Sequence, residues 1–147
     1  VFYSRGYFNN CSHFFNLCEY IFGNFKSGAI TNKVKIYKKY DLSCNFYAKF
    51  DKATILFICK KPQFDRFKMN LYYGNNSIKY LNNGEKIFKV DGKKSKKEIK
   101  NTMRRYQMNV YDELSKYFLK KNFHLCSGKN ALKTIDNMYK VLYNEKI

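Results

Sequence analysis

The stretch Glu85-Lys86-Ile87-Phe88-Lys89-Val90-Asp91-Gly92 decides how the chain around it is interpreted. It begins as an extended, β-prone run and ends in Asp-Gly, which favours a turn because glycine tolerates positive φ. Ser95 with Glu98 three residues later forms a capping box, which predicts that a helix begins there. Apolar residues then recur every three or four positions, predicting one buried stripe along a helix of about six turns. The stripe comprises Ile99, Met103, Tyr106, Val110, Leu114 and Phe118.

The residues before this stretch predict mainly strands. Residues 44–50 alternate between apolar and polar, as in a strand with one wet face, whereas Ala53–Cys59 has no alternation and predicts a central strand covered on both faces. A first helix with an apolar face from Phe14 to Phe25 precedes them, capped by Asn9, Asn10 or Ser12. Lys68–Tyr73 is a further strand candidate.

The residues after the long helix predict a short strand and a closing helix. Phe123-His124-Leu125-Cys126 is the strand, and Ser127 or Asn130 caps the helix, whose apolar face runs from Leu132 to Leu142. The sequence therefore predicts one domain over residues 1–147 of the α/β (mixed α+β) class. Its architecture is an antiparallel strand meander followed by helix, strand and helix.

The charge of the chain points to an anionic partner. Twenty-nine Lys and Arg residues against 11 Asp and Glu give a net charge of +18 over 147 residues. This excess favours binding to nucleic acid or to an anionic membrane surface. The alternative is a bias in base composition, because Lys, Asn, Ile, Tyr and Phe all have A/T-rich codons.

Targeting signals and cysteines bear on the compartment. No run approaches the roughly 18 apolar residues of a membrane-spanning helix. The chain lacks an initiating Met, which suggests a fragment or processed product, and residues 1–8 suit a disordered leader left from an organellar transit peptide. The five cysteines are dispersed, which favours free thiols in a reducing compartment, with a secreted or surface interaction domain holding two disulfides as the alternative.

The order of elements from Phe67 to Leu142 resembles the restriction-endonuclease-like core. Lys68-Met69-Asn70-Leu71-Tyr72 resembles that family's strand with a metal-binding acid, and Ile87-Phe88-Lys89-Val90-Asp91-Gly92 resembles its E-V-D-G strand end. Residues 111–125 are similar to its helix-then-strand region. Among its relatives, these features most resemble the RAP domain, a module of organellar proteins associated with RNA binding. The resemblance implies an RNA-binding protein of a mitochondrial ribonucleoprotein, with other subunits of that particle as further partners.

The nuclease acids of that pattern are replaced here. Asn70 stands where the pattern has Asp, and Lys89 stands where it has Glu. Because Mg²⁺ needs carboxylate oxygens, the resemblance implies a fold that binds without cutting and without a cofactor. A second alignment of the motif leaves a metal-dependent nuclease open: Asp65 and Asp91 would hold Mg²⁺, and Lys93 would stabilise the phosphate charge.

The basic stretch around the predicted helix start is the candidate nucleic-acid surface. Its seven basic residues would contact phosphates and release counterions: Lys93, Lys94, Lys96, Lys97, Lys100, Arg104 and Arg105. Tyr72 and Tyr73 are candidates for stacking on unpaired bases, and adjacent strand residues point to opposite faces, so at least one ring should be outside the core.

The two histidines have no catalytic motif beside them. We interpret His124 as a satisfied structural residue of its short strand or an edge contact rather than a base, and His13 has no nucleophile or carboxylate motif nearby. Ser127-Gly128-Lys129 lacks the first glycine of a P-loop and predicts no nucleotide hydrolysis, although its amides at a helix start suit an anion.

Overall fold

A computed structural model gives the structure of the chain. It describes residues 1–32, 35–38, 41–60, 68–81, 86–92, 95–100, 108–122 and 124–143. These residues contain three α-helices: α1 (Ser12–Phe22), α2 (Met108–Phe118) and α3 (Gly128–Tyr143). A π-helical segment, Tyr7–Cys11, precedes α1. The strands are β1 (Phe2–Tyr3), β2 (Phe25–Ile30), β3 (Lys35–Lys38), β4 (Asp41–Ser43), β5 (Phe46–Phe50), β6 (Thr54–Cys59), β7 (Met69–Tyr73), β8 (Asn76–Leu81), β9 (Lys86–Val90) and β10 (Lys96–Ile99). Among these described residues, no helix is both long and apolar enough to cross a membrane.

Two four-stranded sheets meet at β1. The first has the order β1-β6-β5-β2 and the second β10-β9-β8-β7, while β3 and β4 form a separate pair. An antiparallel bridge links Phe2 to Lys68, with the Phe2 amide donating to the Lys68 carbonyl over 3.0 Å. The strands therefore run in the order β2-β5-β6-β1-β7-β8-β9-β10, and all their pairings are antiparallel except β1 with β6. The mixed α+β class predicted from sequence is confirmed.

The core lies between α1, α3 and one face of the first sheet. Strand β5 alternates as predicted, with Phe46, Ala48 and Phe50 buried. Phe46 stacks on Phe57 of β6 with ring centroids 4.5 Å apart, and Phe15 of α1 lies against both rings. Because each aromatic ring buries a large apolar area, this cluster supplies much of the packing that holds α1 on the sheet.

The first residues of the chain belong to this core. Strand β1 pairs with β6, and the side chains of Tyr3 and Tyr7 are 2% and 0% exposed. The Tyr7 hydroxyl donates to the Met138 carbonyl of α3 over 2.8 Å. The prediction of a disordered leader over residues 1–8 is therefore wrong. Burying these two rings lowers the free energy by more than the loss of conformational entropy in the segment raises it.

The start of the first helix also differs from the prediction. The N-cap is Cys11, with no side-chain capping bond, because the π-helical segment runs directly into α1. The buried side chains of α1 are those of Phe15 and Cys18, so the helix is rotated relative to the predicted apolar face, and Ile21 is 37% exposed.

The largest correction concerns the residues after Asp91-Gly92. Lys96–Ile99 is not the first turn of a helix but strand β10, paired antiparallel with β9. The Ser95 amide and hydroxyl donate to the two carboxylate oxygens of Asp91 over 2.9 and 2.7 Å. These bonds close a hairpin turn, so Ser95 caps no helix, and the ladder to β9 replaces the hydrogen bonds that a helix would have made. The described helix begins at Met108.

Two further predictions are wrong and two are confirmed. Strand β6 is not covered on both faces, since Leu56 is 50% exposed. Residues 124–127 form no strand. Strand β7 was predicted correctly, and Ser127 caps α3, its hydroxyl accepting from the Asn130 amide over 3.1 Å.

Candidate active site

A pocket of about 760 Å³ lies beside α1, where the chain before α3 and the first turns of α3 meet it. Small-molecule sites commonly have volumes of roughly 300–1,000 Å³. Its lining comes from three places in the sequence: His13, Phe14, Asn16, Leu17, Glu19, Tyr20, Gly23 and Asn24; His124, Leu125 and Cys126; Asn130 and Lys133. Both histidines of the chain therefore line one pocket.

The α1 wall presents polar groups at helical spacing. His13, Asn16 and Tyr20 follow one another at intervals of three and four residues, which places them on one face of the helix. The side chains of His13 and Tyr20 are exposed, while Phe15 and Cys18 on the other side of α1 are buried in the core. Packing of the buried face thus orients the polar face toward the pocket.

A buried hydrogen-bond network holds α1 against α3 below the pocket. Glu19 accepts at one carboxylate oxygen from the Thr134 hydroxyl over 2.5 Å and at the other from the Asn137 side-chain amide over 2.7 Å. The Asn16 amide donates to the Thr134 oxygen over 2.9 Å. Thr134 and Asn137 are 2% and 6% exposed, so these bonds form where water competes little. The network fixes the distance between two walls of the pocket.

His124 is held at the rim by groups from two helices. Its Nδ1 lies 3.3 Å from the Tyr20 hydroxyl, and the two rings make an edge contact. Its backbone amide donates to the Glu113 carboxylate over 2.6 Å. Bonding to Lys116 and to this amide lowers the pKa of Glu113, so the carboxylate stays charged. His124 is exposed and lies in no strand, but its ring and its backbone amide are hydrogen-bonded, so the predicted strand is wrong while the prediction of a satisfied residue is confirmed.

The far end of the pocket is closed by the turn that follows α1. Gly23 has φ +88°, which favours glycine, and Asp51 accepts from the Asn24 amide over 2.6 Å. The pKa of Asp51 is lowered by its bonds to Lys26 and to this amide. Lys133 of α3 donates to the Asn24 side-chain oxygen over 2.8 Å. The pocket thus combines one ammonium group, one carboxylate and two imidazoles with neutral donors and acceptors.

This arrangement suits a small polar ligand. Imidazole is the side chain that most often transfers protons near neutral pH. The His13 side chain is exposed, so its ring nitrogens are accessible to a ligand. Side-chain amides of Asn16 and Asn130 can donate and accept at the same time, which fits hydroxyl groups.

The residues proposed for phosphate contacts are partly outside the described chain. Lys96, Lys97 and Lys100 are exposed, as that role requires. Tyr72 and Tyr73 are 75% and 44% exposed, so the prediction that at least one ring is outside is confirmed. Four of the proposed residues lie outside the described residues: Lys93, Lys94, Arg104 and Arg105.

The described residues give little support to the alternative of a metal-dependent nuclease. Both oxygens of Asp91 accept from Ser95, and Asp65 and Lys93 lie outside the described residues. Within the part that the structure describes, no group of three His, Cys, Asp or Glu residues is placed to hold a metal ion. All five cysteines are free thiols, so the alternative with two disulfides does not correspond to this structure.

Sequence reasoning missed the pocket because its parts are distant in the chain. His13 and His124 are brought together only by the packing of α1 on α3. The available signal was the repeat of polar residues on α1 at positions 13, 16 and 20, opposite its apolar face.

Comparisons with known proteins bear on the fold. No family model matches the chain, and no curated protein matches it. Among solved structures, the chain is similar to "Structure of putative oxidoreductase from Thermotoga maritima", with a TM-score of 0.65 and 11% sequence identity. The match covers 90% of this chain and 43% of that chain, so this chain spans less than half the length of that protein. At this identity, the likeness establishes a shared fold.

Proposed function

We propose that this chain is the substrate-binding part of an oxidoreductase, with its substrate in the pocket beside α1. The observation that carries the proposal is that both histidines of the chain line this one pocket of about 760 Å³. The fold of the Thermotoga maritima protein, described as a "putative oxidoreductase", supports it, since the similarity extends over 90% of this chain.

The chemistry of such a pocket is binding and proton transfer. Oxidation of an alcohol to a carbonyl removes a hydride from carbon and a proton from oxygen. His13 would take the proton, while Asn16, Asn130 and Lys133 would bind the substrate's oxygens. A bound redox cofactor would supply the hydride acceptor, because side chains of these types do not accept hydride. The glycines of this chain form no G-x-G-x-x-G fingerprint, so we derive no step through a dinucleotide.

The test uses the imidazole resonances of the two histidines as reporters. We expect one class of hydroxylated or carbonyl compound, in a panel of small polyols, hydroxy acids and ketones, to shift both imidazoles with the same affinity. His13→Ala and Asn16→Ala should each weaken binding roughly 2- to 13-fold, because a hydrogen bond contributes a net of about 0.5–1.5 kcal/mol. The matched control is Lys129→Ala, because Lys129 lies on α3 one turn before Lys133 but does not line the pocket.

A second readout tests the redox assignment. The full gene product, with nicotinamide or flavin cofactor, should oxidise or reduce the compound that shifts the imidazoles, and His13→Ala should lower the turnover more than the affinity. Binding that moves only one imidazole, or a ligand that the gene product never converts, would refute the assignment.

Nucleic-acid binding is the second candidate function. It is favoured by the exposure of Lys96, Lys97 and Lys100 on and beside one edge strand, together with the net charge of +18. The proposed setting is still an organellar ribonucleoprotein with RNA or another polyanion as partner, and the RAP resemblance stays a prediction. Labelled single-stranded RNA should bind with an affinity that falls steeply between two salt concentrations, and replacing the three lysines by Gln should flatten this dependence.

A further inference from the structure

We infer that the sheet face turned away from α1 and α3 is a platform for single-stranded nucleic acid. This inference rests on the second candidate function, and it replaces the predicted basic helix by a defined face of the sheet. It is independent of the pocket and of the oxidoreductase proposal.

Strand pairing identifies the residues that lie on this surface, which we call the open face. Phe2 pairs with Ile58 on one side and Lys68 on the other, and paired residues point to the same side of a sheet. Alternation along the strands then carries the face across both sheets. Its lysines are Lys49, Lys60, Lys68, Lys79, Lys86 and Lys96, and its aromatic residues are Phe2, Tyr47, Tyr72 and Phe88.

In the first sheet, the opposite face is the one that α1 and α3 cover. Tyr3, Phe57 and Met69, each of which points away from the open face, are at most 2% exposed. Tyr47 and Tyr72 on the open face are 39% and 75% exposed. In the first sheet the register therefore separates a packed face from one whose rings reach solvent, whereas in the second sheet Tyr73 of the opposite face is also 44% exposed.

The charge of the open face is strongly one-sided. Six lysines stand against Glu98 as the acidic residue among the described strand positions of this face. A partner that covered this surface with ordinary neutral or basic groups would desolvate the ammonium groups of Lys49, Lys60, Lys79, Lys86 and Lys96 without adding a counter-charge, which is costly. Charge complementarity therefore selects a polyanion.

Two of the lysines lie directly on rings of the same face. The Lys60 ammonium is 5.1 Å from the Phe2 ring centroid, and the Lys96 ammonium is 3.8 Å from that of Phe88. A nucleotide offers a base and a phosphate, the two groups that stack on a ring and pair with an ammonium. A base that stacks on Phe88 would displace Lys96 toward the neighbouring phosphate. Because only unpaired bases expose their faces, the platform favours single strands over duplexes.

Strands β9 and β10 supply a matched pair of variants. Lys86 and Lys96 point to the open face, whereas Lys89 and Lys97 are paired neighbours on the other face, and all four are exposed. Both double variants, K86Q/K96Q and K89Q/K97Q, remove two charges from the same two strands. We expect the first to reduce the salt dependence of RNA binding by about 1.4 in the slope of log K against log salt, and the second to change it little.

Adjacent tyrosines give the corresponding test of stacking. Tyr72→Ser should weaken binding of single-stranded RNA at least about fivefold, and Tyr73→Ser, on the other face, should not. Duplex RNA of the same length should bind more weakly than the single strand. If the two lysine pairs or the two tyrosines weaken binding equally, the platform is wrong although nucleic-acid binding stands. If the unchanged protein binds no RNA at low salt, the second candidate function fails with it.

Discussion

Replacing Glu19 by Ala removes the acceptor that joins α1 to α3 beneath the pocket. The carboxylate accepts from the Thr134 hydroxyl and the Asn137 amide, and both donors are more than nine-tenths buried. A buried donor left without a partner costs about 1–3 kcal/mol. Two donors lose their acceptor in this variant, and we expect a total loss of about 3 kcal/mol.

Such a loss is a large part of the stability of a domain, which is typically about 5–15 kcal/mol. It should lower the melting temperature by roughly 6–12 °C for a chain of this size. Urea denaturation followed by circular dichroism gives the free energy of unfolding directly. Glu19→Gln should lose less, because its oxygen still accepts from Asn137, and a cycle with Asn137→Ala should show a coupling of about 0.5–3 kcal/mol.

Asp136→Ala is the matched control, since it removes one exposed carboxylate from the same helix, between the two residues that bind Glu19. It should change the free energy of unfolding by no more than about 0.5 kcal/mol. A Glu19→Ala variant that is as stable as the Asp136→Ala variant would refute the argument that this network holds the pocket walls together.

Four further predictions concern other groups. Burial raises the pKa of Cys18 to about 12 and raises those of two other thiols, so the exposed Cys126 should react first with a thiol reagent, and the buried thiols only on unfolding. An unfolded thiol ionises near pH 9, so the stability that these raised pKa values contribute is complete below that pH. It is lost as the pH rises toward 12, and the free energy of unfolding measured at alkaline pH should fall accordingly. The pKa of Asp51 is lowered by Lys26, so its contribution is present at neutral pH and lost as pH falls through the folded pKa; Asp51→Asn should flatten the acid side of the stability curve. Gly6→Ala should destabilise by about 1–3 kcal/mol in urea, because φ is +108° and a Cβ would overlap a carboxylate; an unchanged midpoint would contradict this.

Local patterns in the sequence predicted the elements whose form depends on near neighbours. The alternation around Phe46 marks β5 because a half-buried strand requires it. The turn at Asp91-Gly92 lies where the dipeptide predicts it, although Gly92 does not adopt a positive φ there. Ser127 caps α3 for an equally local reason, since its hydroxyl binds an amide three residues later. The excess of lysine is likewise visible without any structure.

Tertiary structure decided the rest. Ser95 and Glu98 have the spacing of a capping box, yet Lys96–Ile99 is a strand, because pairing with β9 satisfies the same backbone groups and only the fold makes β9 available. The first residues join the core because β6 offers them an edge. His13 and His124 meet in one pocket because buried bonds and aromatic packing bring α1 onto α3. A pattern in the sequence shows which residues tend to be buried or hydrogen-bonded. Contacts between distant parts of the chain determine which partners they pack against or bond to.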